Sequence, residues 1–206
     1  MDVFKSIAKN SVGEIIEKKS KFIAHLYYVE SIEEAEEYIK DIKKKYHDAR
    51  HNCFAYAIET EGDGLIIKYN DDGEPSGTAG APMLKILLEL GLSNILVVVT
   101  RYFGGILLGT GGLVRAYSDA LKEALNNTNI VTKEIGYEVD LEVEYAMAEN
   151  IKYYINKQNI KIISINYLEN VNFKLEITKS KFKALLENNS QIVKKWKKVK
   201  EKNVDI

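Results

Sequence analysis

The spacing of apolar residues changes repeatedly along the chain, and each change marks an element. Phe22, Ala24, Leu26 and Tyr28 alternate as in a strand, after an extended piece over 13–19. Ser31 and Glu34 form a capping box, and Ile32, Ala35, Ile39, Ile42 and Tyr46 continue it as one helical face. Residues 52–59 and 65–69 read as strands joined by a hairpin turn at Glu61, Gly62, Asp63 and Gly64. Met83, Ile86, Leu87 and Leu90 predict a helix over 78–90 that Gly91 stops. Residues 94–100 form a fully apolar strand, and Leu113, Val114, Tyr117, Ala120, Leu121 and Ala124 line a helix over 110–126.

Beyond Gly136 the pattern is simpler. Tyr137, Val139, Leu141, Val143 and Tyr145 alternate with Glu138, Asp140, Glu142 and Glu144, the signature of a strand with one wet face. A helix with Met147, Ile151, Tyr154 and Ile155 inward follows, then strands over 160–167 and 171–177, and a helix around Phe182, Leu185 and Leu186. Residues 192–199 complete βαββαβ if they form a strand, although Ile192, Trp196 and Val199 also fit helical spacing.

Composition divides the chain at the same place. All 13 glycines lie within residues 1–136, where 16 basic residues face 20 acidic ones; beyond, 13 basic residues face 10 acidic ones. The halves therefore carry −4 and +3, which predicts domains over 1–133 and 137–206. The whole chain carries −1, so any contact with nucleic acid has to be local. The single cysteine, Cys53, and the absence of an apolar leader at the N-terminus predict a cytoplasmic protein. The apolar run 95–99 is too short to span a bilayer, so no membrane contact is expected.

Nine of the 13 glycines fall within residues 71–112, eight of them in two segments, DDGEPSGTAGAP over 71–82 and TRYFGGILLGTGG over 100–112. Each follows a strand and precedes a helix, so parallel strands would bring both helix starts to one edge of the sheet. Ser76, Gly77, Thr78 and Gly80 in the first, and Gly109, Thr110, Gly111 and Gly112 in the second, would then offer backbone N–H groups and capping hydroxyls to a phosphate-containing ligand. Arg101 and Arg115 are two of only three arginines beside 26 lysines, and the guanidinium fork suits phosphate or carboxylate. The same arginines would equally serve as internal partners of Asp71, Asp72 or Glu74. Those three carboxylates are also the candidate ligands of a Mg ion held jointly with phosphate, or else belong to a solvated turn.

Other chemistry finds less support. Thr110 stands where a P-loop needs lysine, and Val114 fails the third position of a dinucleotide fingerprint. His47, His51 and Cys53 lose metal-ligand spacing if the helix ends near Tyr46; His25 is isolated, and Ser76, Ser93 and Ser118 lack a nucleophile-elbow pattern. Lys194, Lys195, Lys197 and Lys198 around Trp196 form a basic run with an aromatic, fit either for RNA or for guarding a strand edge.

The two glycine-rich segments, together with KSKFIA over 19–24 and His51, Asn52 and Cys53, resemble the IMPACT family, and with the second domain its bacterial YigZ branch. The resemblance implies an α+β chain: an N-terminal ribosomal-protein-like βαβ domain, similar to domain IV of elongation factor G, and a C-terminal ferredoxin-like domain. It also implies a link to translation or stress regulation, with RNA, the ribosome or a translation-associated protein as partner. Its eukaryotic members restrain a starvation-responsive translation kinase and carry an RWD domain, which this chain is expected to lack. The family supplies no settled catalytic residues, so a non-catalytic binding protein is expected, with an enzyme or sensor for a small phosphorylated ligand in the glycine-rich cleft as the alternative.

Residues 1–133 hold their own apolar strand and three amphipathic helices, so a fragment ending near Lys133 should melt cooperatively by circular dichroism. Loss of all cooperative unfolding would place the domain boundary elsewhere.

Overall fold

The computed structural model describes residues 3–60 and 64–206, so Glu61, Gly62 and Asp63 of the expected turn lie outside the described residues. The chain divides into two compact units, Val3–Val131 and Thr132–Ile206.

The first unit contains β1 (Val3–Ile7), β2 (Ser11–Glu17), β3 (Ser20–Tyr28), α1 (Ile32–Lys45), β4 (His51–Thr60), β5 (Gly64–Asn70), α2 (Gly80–Glu89), β6 (Ile95–Tyr102) and α3 (Thr110–Asn126). Five strands form a sheet in the order β2-β3-β6-β4-β5, each antiparallel to its neighbour. The central strand β6 is unbrokenly apolar over its first five residues, 95–99, because both its faces are covered. Ile95, Val97 and Val99 join the core under α2 and α3, while Leu96 and Val98 join the core under α1.

Strand direction decides where the glycine-rich loops emerge. β5 and β6 are both antiparallel to β4, so they run parallel to each other with β4 between them. The loops that follow them, 71–79 and 103–109, therefore leave the sheet at the same edge. At α1, Ser31 accepts the N–H of Glu34 at 3.1 Å, and the Glu34 carboxylate accepts the N–H of Glu30 at 2.8 Å, one residue before the box predicts.

The second unit consists of β7 (Ile130–Val143, entering from the first unit), α4 (Tyr145–Lys157), β8 (Lys161–Tyr167), β9 (Val171–Thr178), α5 (Lys179–Asn188) and β10 (Val193–Asp205). Its strands run antiparallel in the order β10-β7-β9-β8, the ferredoxin-like arrangement. Val139, Leu141 and Val143 face Ile151, Ile155 and Leu185 of the helices. Within α4, Ala148 is buried and Met147 is exposed, reversing the inward position expected of Met147. The last strand is longer than 192–199. Register shifts between Val193 and Lys195 and between Lys198 and Lys200 break its alternation, which is why Ile192, Trp196 and Val199 imitate helical spacing. No described helix is long and apolar enough to cross a membrane.

His25 is buried beneath α1, with Nε2 3.1 Å from the Tyr46 hydroxyl. Burial, with a smaller contribution from Lys45, lowers its pKa to about 4. Between that value and the ordinary 6.5 the unfolded chain binds a proton that the folded chain refuses, so stability falls as pH drops through this window. Denaturant unfolding should show a loss of about 2 kcal/mol from this residue at pH 5 relative to pH 8. His25→Gln should remove that part of the pH dependence, and an unchanged profile would refute the assignment.

Candidate functional site

The loop 71–79 is held by its own carboxylates. Asp71 Oδ2 accepts the N–H of Gly77 at 2.8 Å, and Oδ1 accepts those of Ala79 at 3.0 Å and Gly80 at 2.8 Å. The anion seat at the start of α2 is thus filled from within the chain. Asp72, at φ +43°, binds Lys43 Nζ at 2.8 Å through Oδ1 and the N–H of Asn52 at 2.7 Å through Oδ2. Its carbonyl oxygen meets His51 Nδ1 at 2.8 Å.

Glu74 turns the other way, into the core. Its Oε1 accepts Arg101 Nη1 at 2.6 Å and the Tyr117 hydroxyl at 2.8 Å, with both side chains of the ion pair almost completely buried. Cys53 Sγ lies 3.3 Å from Tyr117 Oη and 3.0 Å from the Asp71 carbonyl oxygen. The Arg101 guanidinium carbon sits 5.4 Å from the Phe22 ring centre and 5.6 Å from that of Phe103. Arg101 Nε is buried without a hydrogen-bond partner. Burial and the carboxylates around it push the Cys53 thiol up to about 12, so it is no nucleophile at neutral pH. Burial, with Cys53 and Glu74 beside it, also pushes the Tyr117 hydroxyl far above its ordinary range.

The second loop is built differently. Gly104 packs on the β2–β3 turn so closely that a Cβ there would fall 2.0 Å from the Lys19 carbonyl carbon, and its N–H donates to Ser20 Oγ at 3.1 Å. Beyond it, Phe103, Ile106 and Leu107 are 50%, 42% and 82% exposed. Gly109, at φ +72°, enters α3 with no side-chain cap and no acidic residue in the first turn. Thr110, Gly111 and Arg115 are exposed, and Arg115 makes no ion pair among the described residues. With Lys18, Ile15 and Leu108 it borders a shallow groove of about 260 Å³, which Glu17 and Asp119 line as well.

Several expectations change accordingly. The α2 start offers no free anion seat: Thr78 is buried and donates its hydroxyl to the Pro75 carbonyl at 2.6 Å, and Ser76 is exposed and caps nothing. Arg101 braces Glu74, the internal pairing that the sequence offered as its other reading, whereas Arg115 borders a separate groove, so the structure does not bring the two arginines to one groove. Asp71, Asp72 and Glu74 turn to three different partners, and no metal-binding group forms among the described residues. Tyr117 reads only as a core residue in the sequence and Cys53 as a discarded metal ligand, since nothing local signals their bonds to Glu74 and Asp71.

The basic run of β10 is divided as well. Lys195 and Lys197 stand opposite Glu142 and Asp140, and Lys194 pairs with Glu144 at 2.9 Å. On the other face Trp196 meets the edge of Phe182, with ring centres 5.2 Å apart, and Lys198 Nζ lies 3.7 Å from the Tyr137 ring centre. These residues make no continuous basic track.

Both loops and the buried network fall within residues 18–125, which match the Impact N-terminal domain; residues 141–189 match a domain of unknown function, DUF1949. The chain belongs to the IMPACT family. It is 42% identical to the IMPACT family member YvyE of Bacillus subtilis (strain 168), over 84% of this chain and 79% of that one. It is 39% identical to the IMPACT family member YigZ of Escherichia coli (strain K12), over 73% of this chain and 74% of that one. A crystal structure of a hypothetical protein superposes with a TM-score of 0.63 at 32% identity, covering all of this chain and 98% of the other.

In this family member, Glu74→Gln should strand a buried guanidinium and cost about 3–5 kcal/mol of unfolding free energy. Arg101→Lys should also destabilise the fold, because an ammonium cannot lie across Phe22 and Phe103 as the planar fork does. Denaturant melts measure both, and losses within about 0.5 kcal/mol, ordinary for surface changes, would refute the brace.

Proposed function

We propose that the chain is a non-catalytic regulatory protein that binds the translation apparatus, through RNA, the ribosome or a translation factor. The link to translation rests on family resemblance. What supports binding over catalysis is the fate of the polar side chains in the glycine-rich loops. Arg101 Nη1 is committed to Glu74 at 2.6 Å, the Asp71 carboxylate covers the α2 amides, and the Cys53 thiol stays protonated. The adjoining loop meanwhile presents Ile106 and Leu107 to solvent on a base pinned by Gly104. Exposed apolar side chains on a rigid base favour a macromolecular partner.

The alternative, a sensor or enzyme for a small phosphorylated ligand, keeps one supporting observation, the uncapped start of α3 near the exposed Arg115. Co-sedimentation of the full chain with ribosomes, at low and raised salt, separates the two. The expected result is sedimentation that Leu107→Asp weakens roughly tenfold, with Arg101→Lys lowering stability but not binding per folded molecule. Folded protein that never sediments, yet binds inorganic phosphate in a manner lost in Arg115→Ala, would establish the alternative instead.

A further inference from the structure

The second unit contains a concave groove of about 420 Å³ to which four elements each contribute one lysine: Lys133 from β7, Lys161 from β8, Lys181 from α5 and Lys202 from β10. Two carboxylates, Glu176 and Asp205, line it with them. Four ammonium groups against two carboxylates leave an excess of two positive charges.

The pairing within the groove is uneven. Glu176 is shared by Lys161, at 3.2 Å, and Lys202, while Asp205 takes Lys133 at 2.5 Å. Lys181 Nζ reaches only the Asn159 carbonyl oxygen, at 3.4 Å, and has no carboxylate partner among the described residues. Glu134 lies close in sequence to Lys133 but does not line the groove. Its two oxygens accept the Ser180 N–H at 2.8 Å and the Ser180 hydroxyl at 3.0 Å, at the start of α5.

Four like charges gathered around one hollow repel one another, and the repulsion is strongest where water is excluded. The Lys133 side chain is only 9% exposed and its charge is met by Asp205, so the excess falls on Lys161, Lys181 and Lys202, which among the described residues have Glu176 alone between them. An anion entering the groove would relieve this repulsion. We propose that the groove binds the terminal phosphate or diphosphate of a small ligand. A phosphate monoester carries nearly two negative charges at neutral pH, matching the excess, whereas an RNA phosphodiester carries one and needs an extended track. Lysines supply point charges rather than forks, so the site selects for charge more than for planar geometry.

The test uses the full chain, with pyrophosphate and inorganic phosphate as probes and a single-stranded oligoribonucleotide lacking terminal phosphates as competitor. Pyrophosphate should bind at one saturable site by calorimetry, with amide NMR shifts centred on residues 178–181 and 202. Lys161→Gln combined with Lys181→Gln should weaken it about tenfold or more, since each charge-assisted bond is worth that order. Circular dichroism melts of that variant should be unchanged, because Lys161 is largely exposed and Lys181 bonds only one carbonyl. Binding that does not saturate, or that survives the double substitution, overturns the proposal. So does displacement by the oligoribonucleotide, which would assign the groove to a nucleic-acid backbone. Failure of pyrophosphate to saturate, or its survival of the double substitution, leaves Leu107 and ribosome sedimentation untouched, and displacement by RNA would overturn this site while favouring the RNA arm of the proposed function.

Discussion

Removing a guanidinium and a carboxylate from water costs several kcal/mol for each ion, and Arg101 with Glu74 recovers that cost only through what surrounds them. The pair makes one short charge-assisted bond, Tyr117 adds its hydroxyl, and Phe22 and Phe103 supply ring faces to the cation. These groups come from β3, the loop 71–79, β6, the loop after it and α3, while Cys53 joins from β4. One buried ion pair thereby ties most of one sheet edge together. The base of the loop 71–79 cannot swing away without leaving the buried Arg101 charge unpaired, a change costing far more than an exposed loop motion.

That constraint separates scaffold from surface. Asp71 closes α2 from eight residues upstream of its N-cap, and Asp72 fastens the same loop to α1 and β4 through Lys43 and Asn52. The polar atoms that look like recognition groups are thus mostly internal. What the loop 103–109 leaves outward is mainly apolar or backbone: Ile106, Leu107 and the uncapped first turn of α3, beside Arg115. A surface of that composition suits a partner that brings its own shape and charge, more than a small molecule that must be enclosed.

Most of the fold was legible because each element follows a local rule. The unbroken apolar run of β6 reports burial on both faces, the alternation of β7 reports one wet face, and Ser31 caps its helix from next door. Legibility ends where the deciding partner is distant. Local cap chemistry could not assign Asp71 to α2, and no periodicity could pair Glu74 with residues 27 and 43 positions away. The end of β10 was ambiguous for a related reason, since two register shifts erase the period on which a strand reading depends.

Charge shows the same limit most plainly. The run Lys194, Lys195, Lys197, Lys198 is the densest basic stretch in the sequence, yet the fold sets acidic residues against three of its members and an aromatic ring under the fourth. The lysines of the 420 Å³ groove are scattered over 133–202, so none stands out as a motif, yet they converge with half their charge uncompensated. Net charge per segment adds up what the chain contains. The field at a surface depends instead on which opposite charges the fold places within a Debye length, about 8 Å at physiological salt. A lysine-rich edge strand can therefore be electrostatically quiet and serve to keep other strands off its open side. Four lysines from four elements, set against two carboxylates, gather in one groove the charge that the sequence scatters.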